Sequence, residues 1–280
     1  MWSSKSMGTS ELENYCVKWN LKTPVLLAST FTSEVFRVEY ENAQAVLKIL
    51  NENGMKFEIK GAIILTCFNG RGSVQLLESD EGAHLLEFVD GPQLKSLVLN
   101  GGDQQATNII ADTIEALHSY SGPVPLGLIN MERNFQSLFQ LVTRSPLDSV
   151  YMAGAKVAET LIASEQELRI LHGDIHHENI LLSSKRGWLA IDPQCVVGER
   201  TYDIANTFYN PKGYSAQSEE IIKMRSHIFS RKLKMDQKRI LEFAFAYGCL
   251  SAAWSIEDGL SENSIVKTAK SIYAVLQSLK

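Results

Sequence analysis

Hydrophobic and polar positions follow two different patterns along the 280-residue chain. Before residue 90, short apolar runs alternate with turn residues, which is typical of β-strands. The predicted strands span 25–28, 35–40, 45–50, 74–77 and 83–89, after a first helix that begins near residue 10. Beyond residue 91, apolar residues recur every three or four positions, as on the buried face of a helix. The predicted helices span 103–118, 130–143, 147–162, 203–208, 216–229, 237–254 and 264–279.

The two patterns predict an α+β protein with two lobes. The N-lobe, residues 1–90, is expected to contain an N-terminal helix, an antiparallel sheet of five strands and one further helix. The C-lobe, residues 91–280, is expected to be mainly helical. A change in composition at 87–92, from strand to Gly-Pro, marks the expected hinge between them.

Two short apolar strands, 168–171 and 180–182, interrupt the helical part and enclose a polar loop. This loop places the carboxylate of Asp174 and the carboxamide of Asn179 where solvent can reach them. A third apolar strand, 188–191, ends in Asp192. We therefore expect two carboxylates and one carboxamide to face a single cleft.

This arrangement resembles the catalytic and metal loops of the protein-kinase-like fold. His-Gly-Asp at 172–174 stands in place of His-Arg-Asp, Asn179 follows five residues after Asp174, and Ile-Asp-Pro at 191–193 stands in place of Asp-Phe-Gly. Within that fold the chain resembles the aminoglycoside phosphotransferase superfamily. The run 188–206 is most similar to its streptomycin 6-phosphotransferase and hydroxyurea kinase group.

The resemblance implies an enzyme of antibiotic resistance, an ATP-dependent phosphotransferase that uses Mg²⁺. It assigns Asp174 as the base that accepts the proton of the acceptor hydroxyl, and Asn179 and Asp192 as the Mg²⁺ ligands. Lys48, in the run Ala-Val-Leu-Lys-Ile, is expected to hold the α- and β-phosphates. Its expected ion-pair partner is Glu58, with Glu52 as the rival.

Two further segments are expected to bind the nucleotide. The turn 29–33 occupies the place of the phosphate-covering loop; it lacks glycine, and Ser29 and Thr30 are its candidate phosphate contacts. A plain hairpin turn remains the alternative. At the hinge, Glu87, Phe88 and Val89 are the residues expected beside the adenine.

The expected acceptor is a small molecule, either an aminoglycoside such as streptomycin or hydroxyurea. An endogenous sugar, amine or choline-like alcohol is the alternative. A cationic acceptor favours nearby carboxylates, and the candidates are Glu199, Asp203, Glu257 and Asp258. Asp203 has two competing interpretations, a residue that orients the catalytic loop and a helix N-cap.

Composition excludes several other classes of function. A net charge of −5, without any block of Lys or Arg, argues against nucleic-acid binding. No apolar run approaches the roughly 20 residues of a membrane helix. Four cysteines without a Cys-x-x-Cys motif favour free thiols in a reducing compartment, so we expect a cytoplasmic protein. The expected assembly is a monomer or a homodimer.

One interpretation from another class of enzyme stays open. His172, Asp174, His176 and His177 are all metal-ligand types at close spacing, as in a metal-dependent hydrolase. Such an enzyme would bind a metal ion without ATP.

Overall fold

The computed structural model describes residues 9–57, 59–144, 149–214 and 218–279. Its first part is helix α1 (Thr9–Lys18) and a sheet of strands β1 (Lys22–Ser29), β2 (Ser33–Tyr40), β3 (Ala43–Leu50), β4 (Leu76–Ser79) and β5 (Ala83–Glu87). The strand order is β1-β2-β3-β5-β4, and every neighbouring pair is antiparallel. The connection from β3 to β4 contains two helices, α2 (Glu52–Phe57) and α3 (Gly61–Phe68), where one had been expected.

The alternation of side chains along β3 decides how the sheet contributes to the site. Leu47 and Ile49 are buried in a small core against Trp19 and Leu21, which follow α1. Because successive side chains of a strand point to opposite faces, Lys48 lies on the other face of the sheet. That face lines a cavity between the sheet and the rest of the chain.

The second part of the chain is mainly helical, as expected. Its helices are α4 (Lys95–Leu99), α5 (Asp103–Leu117), α6 (Met131–Asn134), α7 (Gln136–Arg144), α8 (Ser149–Ala163), α9 (Tyr202–Ala205), α10 (Glu219–Leu233), α11 (Gln237–Glu257) and α12 (Asn263–Ser278). A 3₁₀ helix, Asn206–Tyr209, continues directly from α9. Most of α11 is buried, which explains its long run of apolar and small residues.

Four short strands form two two-stranded sheets beside these helices: β6 (Leu168–Leu171), β7 (Ile180–Ser183), β8 (Gly187–Ala190) and β9 (Val196–Glu199). β6 pairs with β9 and β7 pairs with β8, both antiparallel. The sequence analysis missed β9. It also predicted one helix over 130–143, whereas the chain turns at Phe135, between α6 and α7.

All four cysteines are free thiols. Within the ranges described above, none of the helices combines the length and the apolar character that crossing a membrane requires.

Candidate active site

The loop between β6 and β7 carries the first two site residues, and a glycine lets it turn. Gly173 has a φ of +79°, a region that favours glycine, and a Cβ there would lie 3.0 Å from Val196 Cγ2. The turn after Gly173 directs Asp174 into the cavity. Glycine is therefore required next to the candidate base for both conformational and steric reasons.

Asp174 and Asn179 are bonded to each other across this loop. Asn179 Nδ2 donates to Asp174 Oδ2 and to the Asp174 carbonyl oxygen, both at 3.0 Å. An ionised carboxylate only accepts hydrogen bonds, so the amide nitrogen of Asn179 faces Asp174. The amide oxygen of Asn179 is thereby left to bind a cation.

A buried carboxylate holds the start of the loop in place. Asp203, on α9, is only 2% exposed and accepts the backbone N–H of His172 (2.9 Å) and of Gly173 (2.7 Å). His118 Nε2 donates to it at 2.8 Å. Burial by itself would raise the pKa of Asp203, but the hydrogen bond and charge of His118 hold it below the ordinary value. This contact pattern matches the loop-orienting interpretation of Asp203 rather than the acceptor role.

The segment after β8 brings Asp192 to the catalytic loop. Ile191 N–H donates to the Asn179 carbonyl at 2.9 Å, and Gln194 N–H donates to the His172 carbonyl at 2.7 Å. The His172 ring bonds back to the Ile191 carbonyl through Nε2, also at 2.9 Å. These three bonds fix the backbone on either side of Asp192.

Lys48 completes the group from the opposite side of the cavity. Its Nζ lies 2.7 Å from Asp192 Oδ1, and its side chain is only 8% exposed against 42% for Asp192. A buried ammonium group needs an anionic partner, and the carboxylate of Asp192 serves as one. The predicted partner Glu58 lies outside the described residues, whereas the rival Glu52 is exposed at the start of α2.

The raised pKa of Asp174 suits a residue that accepts a proton. Burial raises the pKa of Asp174 to about 7, Asp192 adds to the rise, and the hydrogen bonds from Asn179 and Asn206 oppose it. A base whose pKa lies near neutrality combines a useful ionised fraction with a useful proton affinity.

One cavity of about 710 Å³ connects these groups. At the sheet end it is lined by Thr32, Lys48 and Leu86, and in the middle by Asp174, Asn179 and Asp192. At the helical end it is lined by polar residues of α6 and α7 and by the end of α11, namely Arg133, Asn134, Gln136, Ser137, Gln140, Trp254, Glu257 and Asp258. Glu257 accepts a hydrogen bond from Ser137 at 2.9 Å. The structure thus brings six of the predicted site residues to one cavity.

Other candidates lie elsewhere. Thr30 Oγ1 accepts the backbone N–H groups of Thr32 and Ser33, as in a plain hairpin turn, and Thr32 rather than Ser29 or Thr30 lines the cavity. Glu199 is 2% exposed and lies away from the cavity, where Arg239 binds both of its carboxylate oxygens. Burial and the ion pair with Arg239 explain the presence of this carboxylate without any contact to an acceptor.

The hinge candidates border the cavity without lining it, because the lining stops at the preceding residue, Leu86. Among them, the Glu87 carboxylate contacts Arg186 and the backbone N–H of Gln75. Val89 packs at the margin of an apolar cluster with Val46 and Ile191. Phe88 is half-buried.

The histidines of the catalytic loop do not form a metal centre. His172 is fully buried and uses its ring to bond the backbone at Ile191 and Asp174. Burial lowers the pKa of His176 to about 4. No group of three or more His, Cys, Asp and Glu side chains is placed to hold a metal ion within the described ranges. The hydrolase interpretation therefore loses its ligand set.

Sequence reasoning missed residues that the fold brings to the site. Asn206 donates to Asp174 Oδ1 at 2.8 Å, although 32 residues separate them. Its position three residues after Asp203, on one helical turn, was the available signal. The polar residues of α6 and α7 gave no signal, because they lie far from the catalytic loop in the sequence.

Comparisons with known proteins agree with this geometry. A streptomycin 3″-kinase from Klebsiella pneumoniae is 35% identical over 250 residues, which cover 86% of this chain and 91% of that protein. A streptomycin 6-kinase from Streptomyces griseus is 28% identical over 268 residues, covering 91% and 85%. A mutant of the aminoglycoside phosphotransferase APH(4)-Ia, solved with ADP and hygromycin B, superimposes with a TM-score of 0.67 at 14% identity, covering 97% and 99%.

The solved structure confirms the expected kinase-like fold with its N-terminal antiparallel sheet and helical C-terminal part. The sequence profile of one family, described as aminoglycoside/hydroxyurea antibiotic resistance kinase, matches residues 18–259. That match confirms the predicted class of enzyme, a phosphotransferase. The chain belongs to the aminoglycoside/hydroxyurea antibiotic resistance kinase family.

Proposed function

We propose that this kinase transfers the γ-phosphate of ATP to a hydroxyl group of streptomycin and so inactivates the antibiotic. The observation that carries the proposal is the cavity in which Lys48 lies at one end, Asp174 and Asp192 in the middle and the acidic end of α11 at the other. Phosphoryl transfer needs the nucleotide and the acceptor hydroxyl to meet beside the base, and this cavity places the candidate base between a nucleotide end and an acceptor end.

The nucleotide is assigned to the sheet end of the cavity. Lys48 Nζ binds the phosphates, and Thr32, in the turn between β1 and β2, lines the same end of the cavity. The half-buried apolar side chains of Val46, Val89 and Ile191 offer the adenine a surface beside the hinge. In this proposal residues 1–90 hold most of the nucleotide, and residues 91–280 supply the base, the metal ligands and the acceptor site.

The donor set fits Mg²⁺. Asp192 offers a carboxylate that is 42% exposed, and Asn179 offers an amide oxygen whose partner nitrogen is already engaged by Asp174. Hard oxygen ligands of this kind, few in number, are typical of magnesium sites in kinases. When bound, Mg²⁺ neutralises phosphate charge during the transfer.

The chemistry requires little more of the chain. Asp174 orients the acceptor hydroxyl and takes its proton as the oxygen bonds to the γ-phosphorus. The bond from the γ-phosphorus to the bridging oxygen breaks, and ADP leaves. Asp203 contributes indirectly, because it binds the backbone of the loop that carries Asp174.

The acceptor end of the cavity favours a cation. Asp174, Glu257 and Asp258 face it with three carboxylates, against the one guanidinium of Arg133. Trp254 lines the same end and offers an aromatic face to a cationic group. Streptomycin carries guanidinium groups, which pair well with carboxylates. The streptomycin kinases among the relatives support the same acceptor, and 35% against 28% identity favours the 3″-hydroxyl over the 6-hydroxyl.

The test measures ADP release with Mg²⁺-ATP and a panel of acceptors: streptomycin, hygromycin B, hydroxyurea, choline and simple sugars. We expect streptomycin to give the highest kcat/KM, and mass spectrometry with ³¹P NMR to find one phosphate on its 3″-oxygen. Asp174→Asn is the matched control, because it keeps the size of the side chain and lowers turnover by about 10²–10⁴-fold.

Each contrary outcome has a definite meaning. Phosphorylation at the 6-oxygen would refute only the assigned position. Turnover of hydroxyurea or choline in preference to streptomycin would refute the acceptor. Full activity of Asp174→Asn would refute the assignment of the base.

A further inference from the structure

A second carboxamide holds Asp174 from the side opposite Asn179. Asn206 Nδ2 donates to Asp174 Oδ1 at 2.8 Å, while Asn179 Nδ2 donates to Oδ2 at 3.0 Å. Each carboxylate oxygen therefore has one amide donor, one from the loop between β6 and β7 and the other from the 3₁₀ helix. Asn206 is 9% exposed and does not line the cavity, so its contact is with the base rather than with a substrate.

The orientation of the Asn206 amide is itself fixed. Asn210 Nδ2 donates to Asn206 Oδ1 at 2.9 Å and to the Asn206 carbonyl at 3.1 Å. With its oxygen held by this donor, the nitrogen of Asn206 must point to Asp174. Rotating the amide by half a turn would set oxygen against carboxylate and nitrogen against nitrogen.

The segment that carries both asparagines is anchored in the core. Arg225, on α10, is 1% exposed and donates through Nη1 to the carbonyl oxygens of Thr207 and Asn210. The same side chain pairs with Asp103, at the start of α5, through Nε at 3.0 Å. The 3₁₀ helix is thus a buried support rather than a surface turn.

We propose that Asn206 is a positioning residue of the phosphoryl transfer, with Asn210 holding its amide in the donating orientation. The inference rests on the proposed role of Asp174 as base. The terminal torsion of an aspartate is broad, so a carboxylate bonded on one oxygen only can rotate away from the acceptor hydroxyl. Donors on both oxygens hold the carboxylate plane in a single orientation.

The first test compares Asn206→Ala with the wild-type enzyme in steady-state kinetics with streptomycin. We expect kcat to fall about 10- to 100-fold, the loss that a misplaced reacting group causes. The KM for ATP and the thermal shift produced by Mg²⁺-ATP should stay within about twofold. Thr207→Val is the matched control: it lies on the same turn, its hydroxyl bonds only to the Ile204 carbonyl, and it should keep wild-type kcat.

The second test is a double-mutant cycle with Asp174→Asn. If Asn206 acts through Asp174, Asn206→Ala should change the residual turnover of the Asp174→Asn enzyme by less than about twofold. A purely structural role would reduce turnover by the same factor in both backgrounds. Asn210→Ala, which leaves Asn206 in place, should lower kcat in the same direction by a smaller factor and show the same dependence on Asp174.

Three results would overturn the inference. The first is a wild-type kcat in both Asn206→Ala and Asn210→Ala, and the second is an equal loss of turnover from Asn206→Ala in the wild-type and Asp174→Asn enzymes. The third is an effect of Asn206→Ala on the KM for ATP alone. They differ from a failure of the proposed function. That failure would appear in the Asp174→Asn enzyme alone, as turnover equal to that of the wild type.

Discussion

The replacement of Asp203 by asparagine provides the sharpest test of how the catalytic loop is held. Asp203→Asn keeps the size of the side chain but replaces one carboxylate oxygen with an NH₂ group. In the wild-type protein one oxygen accepts from His172 and His118, and the other accepts from Gly173. Whichever way the amide turns, its nitrogen faces at least one buried donor.

The expected loss of stability follows from these contacts. In the better orientation the amide oxygen keeps His172 and His118, and the hydrogen bond from Gly173 is lost. A hydrogen bond to a charged group contributes about 1.5–3 kcal/mol, and a buried donor left unsatisfied costs about 1–3 kcal/mol. The free energy of unfolding should therefore fall by about 2.5–6 kcal/mol, a large part of the roughly 5–15 kcal/mol typical of a folded protein.

Urea unfolding followed by circular dichroism measures this difference. Asp236→Asn is the matched control: Asp236 caps α11 through the backbone N–H of Lys238 at 3.1 Å, and asparagine caps a helix about as well. The control should change the free energy of unfolding by less than about 0.5 kcal/mol. A loss below about 1 kcal/mol in Asp203→Asn would show that the three contacts do not hold the loop.

The same pair of proteins gives a pH test. The pKa of Asp203 is lowered in the folded state, so its contribution to stability is fully present above the unfolded-state pKa of about 3.9 and is lost as the pH falls through the folded-state value. The titratable groups that interact with it are His118 and His172, and also Asp174 and Tyr202. We expect the stability difference between wild type and Asp203→Asn to shrink as the pH falls below about 4, where the carboxylate takes up a proton. An increase of that difference below about pH 4 would contradict the assignment.

Three further predictions concern the cavity. Asp192→Ala should raise the Mg²⁺ concentration needed for half-maximal activity, and equal Mg²⁺ curves for this variant and the wild type would contradict the ligand assignment. Asn179→Asp keeps an oxygen ligand but loses the donor to Asp174. This variant should therefore lower kcat more than it changes the Mg²⁺ requirement. Lys48→Ala should raise the KM for ATP about 10-fold or more, since it loses a charged contact to phosphate, and an unchanged KM would exclude that contact. The apparent affinity for streptomycin should weaken between about 50 and 500 mM salt because ions screen the carboxylates at the acceptor end, whereas a flat response would refute the cationic acceptor site.

The sequence predicted most of the fold and the centre of the site for identifiable reasons. Alternating apolar positions mark strands such as β2 and β3, where one face is buried and the other is not. The helical stripes of α5, α8 and α11 are equally clear. Asp174, Asn179 and Asp192 were found because they flank short apolar strands and because their spacing resembles the catalytic and metal loops of the kinase-like fold.

What the sequence could not predict depends on contacts between distant segments. Glu199 is a charged residue near the catalytic loop in sequence, but its carboxylate pairs with Arg239 of α11, away from the cavity. The ion pair of Arg225 with Asp103 joins residues 122 positions apart. No local pattern predicts such pairs, because each residue alone has the appearance of an ordinary surface charge.

The contact between Lys48 and Asp192 also has a thermodynamic consequence. The side chain assigned to phosphate and the one assigned to metal are bonded to each other at 2.7 Å, so a ligand that takes either one must first separate the two. On the proposed assignments, Mg²⁺ alone would have to draw Asp192 from Lys48, and ATP alone would have to draw Lys48 from Asp192. Bound together, the two ligands would replace one ion pair with two. We therefore expect Mg²⁺ and ATP to bind cooperatively, each raising the affinity of the enzyme for the other by the same factor, as linkage requires.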